Sequence, residues 1–300
     1  MIQDFYTGEP IDILRSRRTG VTEPYFAAIP PEERNAVKYL LSDMYNPYLA
    51  YVDKYFPNAV SVVDSFHVVQ WITRSIDAYI RTLVKQYRQR DRELKNQKSL
   101  EAGREISLPQ SDELYLLMKY RWLILANRDN ITYHSSPRMD QHFRCLMNTF
   151  DYEDALFRIA PRLRKLREWK ELYIQFNSRN AGHPLRAREE IEDLIDVYYH
   201  TGDAIFVDFA ALLSKHREPI INSFVMVEKH GAGGIYDSRL SNGPIESLNR
   251  KVKDLKRLER GFRNFEHFRN RFLYATRNNP TLNAVSDYNP VQYLEEDDES

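Results

Sequence analysis

The chain has 300 residues, of which 42% are hydrophobic and 29% are charged, and its 43 basic residues balance its 43 acidic ones. This composition can bury a core and excludes global disorder, while the one cysteine, Cys145, excludes an intramolecular disulfide and a cysteine-rich zinc site. No apolar run approaches the roughly 20 residues that span a bilayer, and the N-terminus does not resemble a signal peptide. We therefore expect a soluble, cytoplasmic protein without a membrane partner.

Residues 1–70 predict an α/β region. The segment DFYTGEPIDIL indicates the end of one strand, a Thr-Gly turn and a second strand. A buried strand then ends at Asp43, NPYLAYVDKYF has helical spacing, and the apolar segment AVSVV predicts a strand that ends at Asp64. Because short links join this strand, helix and strand, we expect a parallel pair with a right-handed crossover.

The rest of the chain predicts mainly helices. We expect a helical insertion over residues 71–238, C-terminal core helices over 239–278, and a disordered acidic tail over 279–300. Within the insertion, the polar segment KNQKSLEAGREISLPQ predicts a loop, and the glycines of GAGG at 231–234 predict a flexible break.

The segment NGPIESLNRKVKDLKRLERG predicts a well-marked helix with Glu246 in its first turn. Pro244 suits that first turn, and Gly261 suits the position just beyond the end. The apolar stripe consists of Ile245, Leu248, Val252 and Leu255. Glu246 lies off this stripe, and Lys253 lies seven residues further on, close to the same face.

The charges are segregated along the sequence. Residues 250–277 carry ten lysines and arginines against three acids, residues 74–104 carry nine against four, and residues 287–300 carry six acids and no base. This pattern predicts an anionic partner for the folded part. The alternative is that the two basic stretches are ordinary solvated helix faces.

Two acids occupy positions at which a catalytic site is expected. Asp43 ends a buried strand, at the edge where parallel α/β sheets build their sites, and Glu246 opens a helix. Carboxylates that converge from separate elements can hold two Mg²⁺ ions for phosphodiester chemistry. The alternative is that both acids cap helices, and that His67 is a packed or capping residue.

Four segments resemble the transposases of bacterial insertion sequences of the ISL-three family: SDMYNPY, FPNAVSVVDSFHVV, KYRWLILANRDN and SNGPIESLNRKVKDLKR. The resemblance extends over about residues 2–275. It implies a DDE enzyme with a ribonuclease-H-like α/β core and a large all-α insertion between the second and third catalytic acids.

The resemblance also implies the site residues and the partners. Asp43 matches the second catalytic aspartate and Glu246 the catalytic glutamate, so both are expected to bind Mg²⁺ or Mn²⁺. Lys253 matches a basic residue that contacts the DNA end. The further expected DNA contacts are Asn249, Arg250 and Arg257. The implied partners are the element ends, the target DNA, and a second copy or a full-length transposase.

One part of the family pattern is not found in this sequence. The first catalytic aspartate belongs on a strand before DFYTGEPIDIL, so we expect an incomplete core that lacks its first strand. Asp4 and Asp12 do not match it, and Asp64 is the only candidate to replace it. We therefore expect a truncated or frameshifted transposase that is inactive alone.

Two alternatives to a catalytic domain are open at this point. One is a non-catalytic DNA-binding or inhibitory transposase fragment, based on the two basic stretches. The other is an unrelated helical scaffold, which predicts no salt-dependent DNA binding.

Overall fold

The computed structural model describes residues 1–231, 234–258 and 264–277. This part of the chain is mixed α/β, with most of its residues in helices and with short strands in two-stranded sheets. It forms two compact units. The first contains Met1–His67, Asn180–Arg188 and the described residues from His216, and the second contains Val68–Arg179 and Glu189–Lys215.

The first unit begins with two strand pairs and three helices. In chain order its N-terminal elements are β1 (Ile2–Gln3), β2 (Pro10–Asp12), α1 (Thr19–Ala28), α2 (Pro31–Ala36), β3 (Tyr39–Ser42), α3 (Asn46–Tyr55) and β4 (Val60–Val63). Strands β1 and β2 are antiparallel, whereas β3 and β4 are parallel, with Ser42 paired with Val63. The predicted strand–helix–strand unit with a parallel pair is therefore confirmed.

Aromatic residues form one core of this unit. Tyr51, Tyr55 and Phe56 are buried on and just after α3, and Phe26 of α1 packs against them. The hydroxyls of Tyr51 and Thr22 are 2.6 Å apart and form a hydrogen bond that also joins α1 to α3. This core supports the helix that connects the two parallel strands.

The C-terminal elements of the first unit supply its second core. They are α11 (Arg217–Asn222), β7 (Met226–Gly231), β8 (Gly234–Arg239), α12 (Gly243–Leu258) and α13 (Phe265–Thr276). Leu248 of α12 is buried with Ile13, Phe268, Phe272 and Leu273, and Val252 and Leu255 pack against this cluster. The predicted apolar stripe of α12 is thus its core face. Gly261 and the predicted acidic tail lie outside the described residues.

The second unit is helical apart from one hairpin. Its elements are α4 (Ser65–Glu101, of which the residues from Val68 belong here), α5 (Asp112–Tyr120), α6 (Trp122–Leu125), β5 (Arg138–Asp140), β6 (Cys145–Met147), α7 (Thr149–Ile159), α8 (Pro161–Arg179), α9 (Pro184–Tyr199, of which the residues from Glu189 belong here) and α10 (Ala204–Lys215). Buried Ile72, Ile76 and Ile80 mark the core face of α4.

Three features differ from the sequence-based expectations. The predicted loop KNQKSLEAGREISLPQ is helical up to Glu101, because α4 extends that far. Gly231 and Gly234 of GAGG are paired residues of the antiparallel strands β7 and β8, so they belong to a two-stranded sheet rather than to a break between helices. The helical unit ends at Lys215, whereas the predicted insertion ran to residue 238. Residues 216–222 join the first unit because α11 packs on β4, where the Asn222 side-chain amide donates to the Ser61 carbonyl at 2.9 Å.

Candidate active site at the end of the parallel strands

Asp43 and Asp64 directly follow the two parallel strands. Because Ser42 is paired with Val63, the two aspartates begin level on neighbouring strands, which are about 4.8 Å apart in a sheet. Each carboxylate holds the turn that follows it. Asp43 Oδ1 accepts a hydrogen bond from the Tyr45 N–H at 3.1 Å, and Asp64 Oδ1 accepts one from the Phe66 N–H at 2.8 Å.

Asp64 ties the strand end to the start of α12. Its side chain is buried, and its second oxygen, Oδ2, accepts a hydrogen bond from the Asn242 N–H at 2.6 Å. Both carboxylate oxygens therefore accept backbone N–H groups. Asn242 immediately precedes α12, so this contact fixes the helix that carries Glu246 to the end of β4. The geometry favours a positioning role for Asp64 over the role of the first catalytic aspartate of the family.

Glu246 points toward the start of α4. Its Oε1 lies 3.7 Å from Nε2 of His67, which is two residues after the start of that helix, and its side chain is 40% exposed. Among the residues that the structure describes, the Glu246 carboxylate accepts no backbone N–H from the first turn of its own helix. Its side chain is therefore not used as a helix cap.

The predicted acids thus gather at one end of the β3–β4 pair. Asp43 lies beside Asp64 through the strand register, Asp64 holds Asn242, and Glu246 lies one helical turn after Asn242, whose carbonyl accepts its N–H at 3.0 Å. The sequence separation of the Asp64–Asn242 contact is 178 residues. His67 completes the group by facing Glu246.

The donor types at this edge suit a hard cation, but the number of ligands is small. Asp43 and Glu246 offer the carboxylate oxygens that Mg²⁺ and Mn²⁺ prefer, and both are partly exposed. Within residues 1–231, 234–258 and 264–277, no group of three or more His, Cys, Asp or Glu side chains is arranged to hold a metal ion.

A cationic face begins on α12 directly after Glu246. Residues spaced three, four and seven apart share one face of a helix. Opposite the buried Leu248, and following Glu246, the cationic face consists of Asn249, Arg250, Lys253 and Arg257. These four residues are exposed, and within the described part of the chain the ion pair of Arg257 is a solvent-exposed contact with Asp254 at 3.7 Å. The predicted DNA-contacting residues therefore share one accessible surface.

The second unit carries a longer cationic stripe on α4. The stripe consists of Arg74, Arg81, Lys85, Arg88 and Arg92, all exposed, on the face opposite the buried isoleucines. With a rise of about 1.5 Å per residue, its ends are about 27 Å apart. Arg81 pairs with Asp77 at 2.6 Å. The sequence indicated the excess of charge here, and the structure resolves it into one face.

Together, fold and site define a mixed α/β protein with acids at the end of a parallel strand pair beside a cationic helix. The family model of the ISL3-type DDE transposases, described as a transposase, matches residues 1–272. The chain belongs to this family, which confirms the resemblance drawn from the sequence motifs.

A curated relative supports the same assignment. The chain is 23% identical over 257 residues to the transposase for insertion sequence element IS1001 of Bordetella parapertussis, in an alignment that covers 85% of this chain and 50% of that protein. The chain thus spans half the length of this relative. No solved structure matches the chain closely enough to establish a relationship. Among the described helices, none combines the length and the apolar character that crossing a bilayer requires.

Proposed function

We propose that this chain forms a DNA transposase catalytic domain in which Asp43 and Glu246 hold Mg²⁺ or Mn²⁺. The observation that carries the proposal is the 2.6 Å hydrogen bond from the Asn242 N–H to Asp64. It fixes the start of α12, and with it Glu246, at the strand end that Asp43 shares. The strand–helix–strand unit supports a ribonuclease-H-like core, with the second unit inserted between β4 and α12.

The proposed reaction has two phosphoryl-transfer steps. A water oxygen bonds to a phosphorus at the element end, and the bond from that phosphorus to the 3′ oxygen breaks. The freed 3′-hydroxyl then attacks a target phosphodiester in line and loses its proton to solvent, while the target's 3′ oxygen leaves. Asp43 and Glu246 would hold the metal ions, which would supply activation of the attacking oxygen and stabilisation of the leaving one. Lys253, Arg250, Arg257 and Asn249 orient the phosphates.

The small number of carboxylates limits what this chain does alone. Two partly exposed carboxylates hold a pair of metal ions poorly, so we propose that this chain is inactive without a further acidic ligand. We propose that a second copy of this chain or a full-length transposase supplies this ligand. The second candidate function is a non-catalytic DNA-binding or inhibitory fragment, which is favoured by the lack of a three-ligand group among the described residues.

The first test is Glu246→Gln, with Glu266→Gln as a matched control, because Glu266 is also partly exposed in the first turn of a helix of the same unit. We expect E246Q to weaken Mn²⁺ binding by at least about tenfold. Loss of a residue that only supports a metal ligand already weakens metal binding by about that factor, and Glu246 is proposed as a direct ligand. Electron paramagnetic resonance of free Mn²⁺ measures this binding. DNA affinity, measured by fluorescence anisotropy, should stay within about twofold of wild type because the cationic face is intact.

Two results would contradict the metal site. Equal Mn²⁺ affinities of E246Q, E266Q and wild type would remove Glu246 from the ligands. A loss of folding in E246Q would assign Glu246 a structural role instead of a metal-binding one. If Mn²⁺ binding depends on Glu246 but no cleavage of element ends occurs, even with full-length transposase added, the non-catalytic fragment is the better description.

The cationic face of α12 should determine how DNA binding depends on salt. Each phosphate contact contributes about 0.9 to the slope of log affinity against log salt on duplex DNA. We expect the triple variant R250A/K253A/R257A to reduce the slope by up to about 3. The matched control is R158A/K165A/K215A, which removes the same charge from exposed positions off both cationic surfaces.

The same measurement, DNA affinity as a function of salt concentration, tests the α4 stripe. The variant R74A/K85A/R92A removes the three stripe cations that have no side-chain partner among the described residues. An unchanged slope in this variant would confine DNA binding to the first unit. If the salt slopes of the α12 variant and of the α4 variant both equalled that of the control variant, the DNA-binding proposal would be wrong.

A further inference from the structure

Two exposed aromatic side chains stand at the same strand ends as Asp43 and Asp64. The exposed fraction is 38% for Tyr45 and 50% for Phe66. Each lies two residues beyond the aspartate that follows its strand, and that aspartate accepts its backbone N–H. The two turns begin level on paired strands. Each strand of the pair is therefore followed by an aspartate-held turn with an exposed aromatic ring, and both rings lie at the same edge.

The surroundings of the two rings connect them to the candidate site. The Phe66 ring is edge-on to the His67 ring at a centroid distance of 5.6 Å, and His67 faces Glu246. The Tyr45 ring packs edge-on against Tyr48 at 5.1 Å, and the guanidinium of Arg17 lies 5.5 Å from its centroid. The rings therefore belong to the edge that carries the acids, and a cation accompanies one of them.

Folding alone does not explain the exposure of these rings. The neighbouring Tyr48, Tyr51 and Tyr55 turn into the aromatic core of α3, whereas Tyr45 and Phe66 remain in solvent. Aromatic rings beside cations are the usual platform for unpaired nucleic-acid bases, because every base has a flat face that can stack. A paired base inside a duplex does not offer that face, so the ligand must be a base that has left the stack.

We propose that Tyr45 and Phe66 stack on unpaired terminal bases of a DNA end whose phosphates lie along the cationic face of α12. This inference rests on the proposed function and adds the form of DNA that the site holds. The terminal pairs of a blunt duplex must open before their bases can reach the rings, and this opening costs free energy. The bases of a frayed end are already unpaired, so they bind without that cost. The site therefore prefers a frayed end to a blunt one.

The test compares two labelled duplexes of equal length and charge, one blunt and one with two mismatched pairs at its end. By fluorescence anisotropy, wild type should bind the frayed duplex at least about fivefold more tightly, the lower range of one base–aromatic stack. Tyr45→Ala and Phe66→Ala should each reduce this preference, and Phe66→Trp should keep it. Tyr274→Ala, which removes a 61% exposed ring from α13, is the control. A terminal 2-aminopurine should lose fluorescence on binding only when the rings are present.

The outcomes separate this inference from the proposed function. Equal binding of both duplexes by wild type, or equal losses on both in the alanine variants, would overturn base stacking while DNA binding stands. Binding to neither duplex would overturn the proposed function and the inference with it. If the alanine variants instead changed the sedimentation coefficient of the free protein, the rings would serve as an interface between copies. Their thermal melting should match that of wild type, because both rings are exposed.

Discussion

Replacement of Asp64 by alanine is expected to lower the free energy of unfolding of the first unit by about 2–4 kcal/mol. The Asp64 carboxylate is buried and accepts the N–H groups of Phe66 and Asn242. Each of these donors loses its partner in D64A. The buried Asn242 N–H then costs about 1–3 kcal/mol, and the part-buried Phe66 N–H costs about 1 kcal/mol, the low end of that range. Urea denaturation followed by circular dichroism measures the loss, and hydrogen exchange of the Asn242 amide should become faster.

Two matched variants locate the effect. Asp64→Asn keeps one acceptor oxygen and should lose about half as much stability as D64A. Asp43→Ala removes the equivalent aspartate of the neighbouring strand, but that carboxylate is partly exposed and accepts one N–H, so its loss should be about 1 kcal/mol. Similar losses in D64A and D43A would contradict the positioning role.

The same variants separate positioning from metal binding. D64A should weaken Mn²⁺ binding because it frees the start of α12, although Asp64 is not a proposed ligand. D43A should weaken Mn²⁺ binding while it keeps most of the stability. Loss of both stability and metal affinity in a variant therefore indicates that the residue positions the site. Loss of metal affinity alone indicates that the residue is a metal ligand.

Local patterns in the sequence predicted the elements that carry the site. The apolar strands before Asp43 and Asp64 and the helix between them follow from periodicity. The start of α13 is also a local feature, because the side chain of Asn264 just before it accepts the N–H groups of Glu266 and His267. These features depend on residues a few positions apart, which is the range that a single sequence displays.

The features that escaped prediction depend on short strands or on distant partners. The β5–β6 pair has three residues in each strand, too few to show an alternating pattern. The buried Asp140, which is the last residue of β5 and accepts hydrogen bonds from the hydroxyls of Tyr115, Tyr120 and Tyr152, has partners 12 to 25 residues away. Asp64 was identified as a strand end, but its partner Asn242 is 178 residues distant. No spacing rule connects such pairs, because the tertiary fold alone brings them together.

The other large effect is expected from Arg269, which forms a buried ion pair with Asp12. Arg269 Nε and Nη2 donate to the two oxygens of Asp12 at 2.5 and 2.7 Å, across 257 residues of sequence. Both side chains are almost completely buried, at 8% and 4% exposure. Arg269→Met leaves an uncompensated carboxylate in the core, so we expect a loss of about 3–5 kcal/mol in chemical denaturation.

The double variant D12L/R269M provides the decisive comparison. Because an apolar pair often replaces a buried ion pair at little cost, the double variant should recover most of the stability that R269M loses. Arg250→Met, which removes an exposed arginine of the same unit, should change stability by less than about 0.5 kcal/mol. No recovery in the double variant would mean that Asp12 has a second role. The bidentate contact argues against one, because it engages both oxygens of the Asp12 carboxylate. The ion pair thus assigns Asp12 to the junction of β2 and α13, and Asp43 and Glu246 remain the proposed metal ligands.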